Sequence, residues 1–159
     1  MSEAKKLLFV CMGNICRSPT AEAVMQHKVK MLSLQKVLSL DSAGTHAYHI
    51  GEQSDPRSRA TARDKGIDME FIRARKISVL DYDQFDWIYA MDSDNLELIE
   101  YYAPDNHGAQ IELFLAAANR AGTAERRDVP DPYYGGNQGF EDVFDLVGRG
   151  CDAILQELV

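Results

Sequence analysis

Residues 5–19 read Lys5-Lys6-Leu7-Leu8-Phe9-Val10-Cys11-Met12-Gly13-Asn14-Ile15-Cys16-Arg17-Ser18-Pro19. The apolar run up to Val10 predicts a strand over Lys5–Cys11. Ser18-Pro19-Thr20-Ala21-Glu22 predicts a helix start. Pro19 takes a first-turn position there, and Glu22 lies at the positive end of the dipole. A strand–loop–helix junction of this kind converges backbone N–H groups on one spot, which makes an anion site.

Consider a phosphate held in that loop. The amides of Met12, Gly13, Asn14, Ile15, Cys16, Arg17 and Ser18 would bond its oxygens, and the Arg17 fork would take two at once. Cys11, at the mouth of the strand, would lie under the phosphorus. The same positive surroundings favour its thiolate, a strong nucleophile able to take the phosphoryl group as a cysteinyl-phosphate. Ser18 would donate its hydroxyl to that thiolate when it later leaves. Gly13 and Asn14 suit a loop that needs left-handed backbone angles. A cysteine followed six positions later by an arginine is weak evidence alone, because a strand-end cysteine is usually a small hydrophobe. The strand before, the Gly-Asn inside and the Ser-Pro after turn the spacing into a phosphate-chemistry signal.

The rest of the chain alternates strands and helices, which implies a parallel sheet. A first helix is expected over Pro19–Leu32, with Ala23, Val24, His27, Met31 and Leu32 on one face. A strand over Val37–Ser42 follows. Asp55-Pro56-Arg57 opens a helix that ends near Gly66. A strand over Trp87–Met91, a helix from Ser93 to Tyr102 and a strand over Gln110–Phe114 come next. The last helix is the clearest, with Phe140, Val143, Phe144, Val147, Cys151, Ile154, Leu155 and Leu158 at spacings of three and four. Ala116 to Gly139 shows little apolar periodicity and reads as a long loop, more often functional than idle.

A chain of 159 residues is one domain, 1–159, by size. Its net charge of −8 argues against nucleic acid as a partner, so an anionic substrate must be held locally. No apolar stretch approaches the ~18 residues of a membrane span, and Met1-Ser2-Glu3-Ala4 is no signal peptide. Three cysteines without framework spacing suit a reducing cytoplasm. His27, His46, His49 and His107 show no metal spacing, so neither metal nor cofactor is expected.

The stretch Val10-Cys11-Met12-Gly13-Asn14-Ile15-Cys16-Arg17-Ser18-Pro19-Thr20-Ala21-Glu22 resembles the signature of the low-molecular-weight protein tyrosine phosphatases. Asp131-Pro132-Tyr133-Tyr134 is similar to that family's second hallmark, the loop bearing its general acid. Ser42-Ala43-Gly44-Thr45 and Ala90-Met91-Asp92 also resemble family segments, in the same order. Two histidines frequent in vertebrate members are replaced here by Lys65 and Ile72. The resemblance implies an α/β fold, a four-stranded parallel sheet with helices on both faces in a flavodoxin-like order. It also implies hydrolysis of phosphotyrosine in proteins or peptides, by a monomer or weak homodimer.

On that footing Asp131, stiffened by Pro130 and Pro132, would protonate the departing phenolate and then accept a proton from the attacking water. Tyr133 and Tyr134 would wall a deep slot that favours phosphotyrosine, with Tyr48 a further lining candidate. Cys16 lies on the same loop as Cys11 and would form a reversible disulfide with it after oxidation. Three other functions compete. Arsenate reduction needs further cysteines after the third strand, and residues 77–114 contain none. A non-catalytic phosphotyrosine-binding module would have lost Cys11 or Asp131. A pure redox sensor would need neither Arg17 nor the tyrosines.

Overall fold

The computed structural model describes residues 3–134 and 136–159, except the side chain of Tyr134. Four strands form one all-parallel sheet: β1 Lys5–Cys11, β2 Leu38–Gly44, β3 Trp87–Ala90 and β4 Gln110–Leu113, in the order β2-β1-β3-β4. Parallel neighbours need crossover connections, supplied here by helices. These are α1 Arg17–Met31, α2 Pro56–Asp64, α3 Asp81–Gln84, α4 Ser93–Tyr102, α5 Ala116–Ala121 and α6 Gly136–Leu158.

β1 is central and covered on both faces, which is why its sequence is an unbroken apolar run. Leu7, Phe9 and Cys11 pack with α1, α5 and α6, whereas Leu8 and Val10 pack with α3 and α4. Each fully buried Leu or Phe is worth about 1.5–3 kcal/mol. A one-residue slip would exchange the two faces, so burial fixes the register that sets Cys11 opposite Gly44. The strand order reverses between β1 and β3, where open α/β sheets bind ligands at their carboxyl ends. The loop after β1 leaves the sheet there. On α6, Phe140, Val143, Phe144, Val147, Cys151, Ile154 and Leu155 are buried, as their spacing predicts. Gly150 lets α6 close on the core, since a Cβ there would stand 2.2 Å from Phe114 Cε2.

Several boundaries differ from the sequence reading. α1 begins at Arg17, with Cys16 as its N-cap, and has no acidic residue in its first turn. Glu22 is therefore not at the dipole end. It is buried against β2, where it accepts from Ser42 Oγ at 2.6 Å. The stripe of α1 that meets β2 and α6 includes Ala21, Val24, Met25 and Val29. Of the expected stripe, Ala23 and Val24 are buried, whereas His27, Met31 and Leu32 are exposed, because the packed face runs through Ala21, Met25 and Val29 instead. β2 runs on to Gly44, held by pairing with Cys11. The expected long loop also shrinks. α5 lies inside it, closed by Gly122 at φ 75, and a 3-10 turn covers Pro132–Tyr134. α6 starts at Gly136, one turn before its first large apolar residue. Neither α5 nor the first turn of α6 carries a periodic set of large apolar side chains, so periodicity cannot reveal them.

Candidate active site

The loop 11–18 is a closed turn built on an extensive internal support. Cys11 ends β1 with its Sγ 3.0 Å from Ser18 Oγ. Of the two residues expected in left-handed backbone, only Asn14 adopts it, at φ 58. Its side chain is buried beneath the loop. Nδ2 donates to Ser18 Oγ at 2.8 Å and to Ser42 Oγ at 3.0 Å, and Oδ1 accepts from the Arg75 N–H at 2.9 Å. Asn14 thus ties α1, β2 and the 75–76 segment to one turn, at a position where the backbone needs a positive φ that Asn tolerates. Gly44 completes the support, because a Cβ there would stand 2.7 Å from the Met12 carbonyl oxygen.

The hydrogen bonds continue from Cys11 through Ser18, Asn14 and Ser42 to Glu22. Burial pushes the Glu22 carboxyl up to about 7, against the opposing bond from Ser42, with Asp41 adding and Arg75 subtracting. A carboxyl raised in this way keeps its proton at mildly acidic pH and accepts from the Ser42 hydroxyl in either state.

Arg17 is 2% exposed and spans the floor of the site. Its Nη1 donates to Asp92 Oδ2 at 2.5 Å and to the Val129 carbonyl at 3.0 Å. Its Nη2 stands 3.8 Å from Asp131 Oδ2. Burial works against its charge, and Cys11, Asp92 and Asp131 outweigh it. Asp92 also N-caps α4 by accepting from Asn95 N–H at 2.7 Å, so a single carboxylate fixes both the guanidinium and a helix end. Asp131 is more open, at 36% exposure, and its Oδ1 accepts from Tyr133 N–H at 3.0 Å.

Cys11, Met12, Gly13, Ile15, Cys16, Arg17, Tyr48, His49, Asp131 and Tyr133 surround one pocket of about 190 Å³. Residues expected from three separated stretches of sequence, within 11–17, at 48 and within 131–133, therefore meet. Asn14 and Ser18 do not line it and act from below. Tyr48 is exposed at the rim, its ring stacked on His46 at 5.1 Å. The wall expected of Tyr134 lies outside the described residues. Three neighbours were not found from sequence. His49 faces the pocket and bonds Glu52 through Nδ1 at 2.6 Å. Asp92 grips Arg17, and its place after an apolar strand with a helix start was the available signal. Asp55, expected only as a helix start, touches the loop by donating its N–H to the Ile15 carbonyl at 2.8 Å. The Cys16 thiol is pushed well above the ordinary thiol range by burial first, with Asp55, Cys11 and Asp131 adding.

Such a site can hold a tetrahedral oxyanion against a thiol nucleophile, with a carboxyl group across the pocket. The low molecular weight phosphotyrosine protein phosphatase family model matches residues 6–159. A low molecular weight phosphotyrosine protein phosphatase of Schizosaccharomyces pombe is 41% identical over 145 residues, covering 91% of this chain and 90% of that protein. The crystal structure of a protein tyrosine phosphatase from Entamoeba histolytica, with Hepes in its active site, superposes with a TM-score of 0.91 at 38% identity, covering 98% and 97% of the two chains. The crystal structure of a Drosophila arginine phosphatase superposes at 0.87 and 32% identity, covering 96% of each chain. Matches of this length and identity establish that the chain belongs to the low molecular weight phosphotyrosine protein phosphatase family, hydrolases that release phosphate from phosphotyrosine through a cysteinyl-phosphate.

Proposed function

We propose that Cys11 is the nucleophile, Arg17 the phosphate clamp and Asp131 the general acid of this phosphatase. The observation that carries the reading is the meeting of Cys11, Arg17 and Asp131 in one pocket. Cys11 Sγ attacks phosphorus as the P–O bond to the phenolate breaks, and Asp131 gives its proton to the departing oxygen. A water then loses a proton to Asp131 and attacks phosphorus, and Cys11 leaves as thiolate with the Ser18 hydroxyl donating to it. The amides of Met12 to Ser18 and the Arg17 fork hold the equatorial oxygens as charge builds. Tyr48 and Tyr133 flank the substrate ring, which suits an aryl phosphate on a long arm better than phosphoserine.

Cys11→Ser is expected to abolish turnover and to retain binding of phosphate or vanadate, because the amides and Arg17 remain. Rates and anion affinity measured together decide this, and substantial activity in the variant would overturn the covalent route. A peptide panel carrying phosphotyrosine, phosphoserine, phosphothreonine and phosphoarginine tests the slot. Phosphotyrosine is expected to be preferred, and equal turnover of phosphoarginine would move the substrate class.

The reading extends to redox control. Peroxide oxidises the Cys11 thiolate to a sulfenic acid. The Cys16 thiol then attacks that sulfur, forming the disulfide and releasing water. Both thiols are free and border the same pocket. Cys16→Ser is expected to recover activity poorly with a dithiol after peroxide. Equal recovery, with no Cys11–Cys16 peptide by mass mapping, would reduce Cys16 to packing. Action as one domain over residues 1–159, in the cytoplasm, as a monomer or weak homodimer, completes the proposal. The three free cysteines support the reducing compartment.

A further inference from the structure

The segment that carries Asp131 is anchored at its start. Val129 donates its N–H to the Met91 carbonyl at 2.8 Å and accepts from Arg17. Asp128 Oδ1 accepts from the N–H of Ser93 at 3.1 Å and from its hydroxyl at 2.9 Å. Beyond Val129 the chain turns outward, and Asp131 and Tyr133 are both exposed. There a residue from another element takes hold. Arg57, in the first turn of α2, donates from Nη1 to the Tyr133 carbonyl at 3.1 Å. Its guanidinium carbon lies 5.3 Å from the Tyr133 ring centroid and 4.6 Å from that of Phe140 on α6.

The other side of the same guanidinium is fixed. Nε and Nη2 grip Asp55 at 3.1 and 2.9 Å, and Asp55 is nearly buried. Asp55 in turn donates its N–H to the Ile15 carbonyl of the phosphate loop. The peptide groups of Tyr133 therefore join two contacts. The N–H of Tyr133 orients the Asp131 carboxylate, and its C=O is held by a guanidinium referenced to the phosphate loop. We infer that Arg57 is a positioning residue for the general acid, setting the height of Asp131 over the phosphate by clamping Tyr133 to Asp55 and the phosphate loop.

The planar fork matters to this role. It serves Asp55 with two nitrogens and the carbonyl with the third while its carbon stays within cation–π reach of two rings, which an ammonium does not reproduce. Arg57 does not line the pocket, so its influence on the reaction runs through Asp131. The inference rests on the general-acid reading of Asp131, and the experiment separates the two.

Arg57→Ala, Arg57→Lys, Asp131→Asn and the double variant Arg57→Ala/Asp131→Asn are assayed on aryl phosphates of graded leaving-group pKa. Thermal melts accompany each assay. Arg57→Ala is expected to lower kcat/KM about 10-fold for phenyl phosphate and less than about 2-fold for a dinitrophenyl phosphate, because kcat/KM reports the step in which only the basic leaving group needs the placed proton. Arg57→Lys should fall between, and the double variant should match Asp131→Asn. Vanadate affinity should hold in all of them. A uniform loss across leaving groups, or a multiplicative loss in the double variant, overturns the clamp and makes Arg57 a general structural residue. Should Arg57→Ala melt below the assay temperature, Arg57→Lys alone carries the same leaving-group test. If Asp131→Asn itself loses kcat/KM equally for all leaving groups, the acid reading fails and the inference falls with it.

Discussion

The loop 11–18 and the segment 128–134 face each other across one pocket and are held in opposite ways. The first rests on buried, hydrogen-bonded groups: Asn14 at 1% exposure, Ser18 at 0% and Arg17 at 2%. The second leaves Asp131 36% exposed on a short turn. The difference follows from their tasks. An oxyanion cradle works when its donors are aimed before substrate arrives, which requires a rigid, dry support. A general acid must reach the leaving oxygen of each substrate and then meet water, so it belongs at the open side. The cradle should therefore govern anion binding, and the acid segment should govern only proton delivery.

The largest effect that sharpens this contrast is on the acid. Asp131→Asn is expected to lower kcat/KM about 10²–10⁴-fold for leaving groups as basic as tyrosine's phenol. The loss should shrink for acidic leaving groups, and vanadate affinity should stay near that of the unmodified chain. A fall in vanadate affinity as large as the fall in rate would erase the division between the two regions.

The second effect lies under the cradle and concerns stability. The Glu22 carboxyl is raised from an ordinary 4.5 to about 7, so between those values the folded chain keeps a proton that the unfolded chain releases. Folding stability from this group is therefore full below about pH 4.5 and declines as pH rises through 7, by about 3 kcal/mol in all. Glu22→Gln keeps an acceptor for Ser42 and removes the titration. Urea unfolding should find the two proteins alike at pH 4.5 and the variant more stable at pH 8. Parallel curves at every pH would mean that Glu22 is solvated more freely than its burial implies.

The smallest effect is at the rim. Tyr48 is two-thirds exposed, at 66%, and stacks on His46. Tyr48→Ala should raise KM for phosphotyrosine peptides about 2- to 10-fold, in line with roughly 0.5–1.5 kcal/mol for an aromatic contact, and leave kcat nearly unchanged. An unchanged KM would take Tyr48 out of the substrate wall.

Legibility in the sequence followed the same division. The cradle was readable because one contiguous stretch supplies nucleophile, turn and clamp, and the strand and helix that aim them flank it directly. The helix α6 was readable for a similar reason, since a long amphipathic stripe is a local signal. The stretch 116–139 was misread as one loop because Ala116–Ala121 and the first turn of α6 lack large apolar side chains. Asp131 was assignable through its resemblance to a family motif, and its distance from Arg17 was not.

What the sequence by itself determined is the parallel α/β frame and the identity of the loop chemistry, since both arise from neighbours along the chain. Only the tertiary structure decided the partners of that loop. Asp92 comes to Arg17 from the end of β3, Ser42 and Glu22 close the network beneath Asn14, and Arg57 reaches Tyr133 across 76 positions of sequence. Those contacts depend on strand order and register, which place the carboxyl ends of β1, β2 and β3 side by side. A linear pattern carries no such distance, because packing of the two sheet faces, and not local propensity, sets which distant side chains share a site.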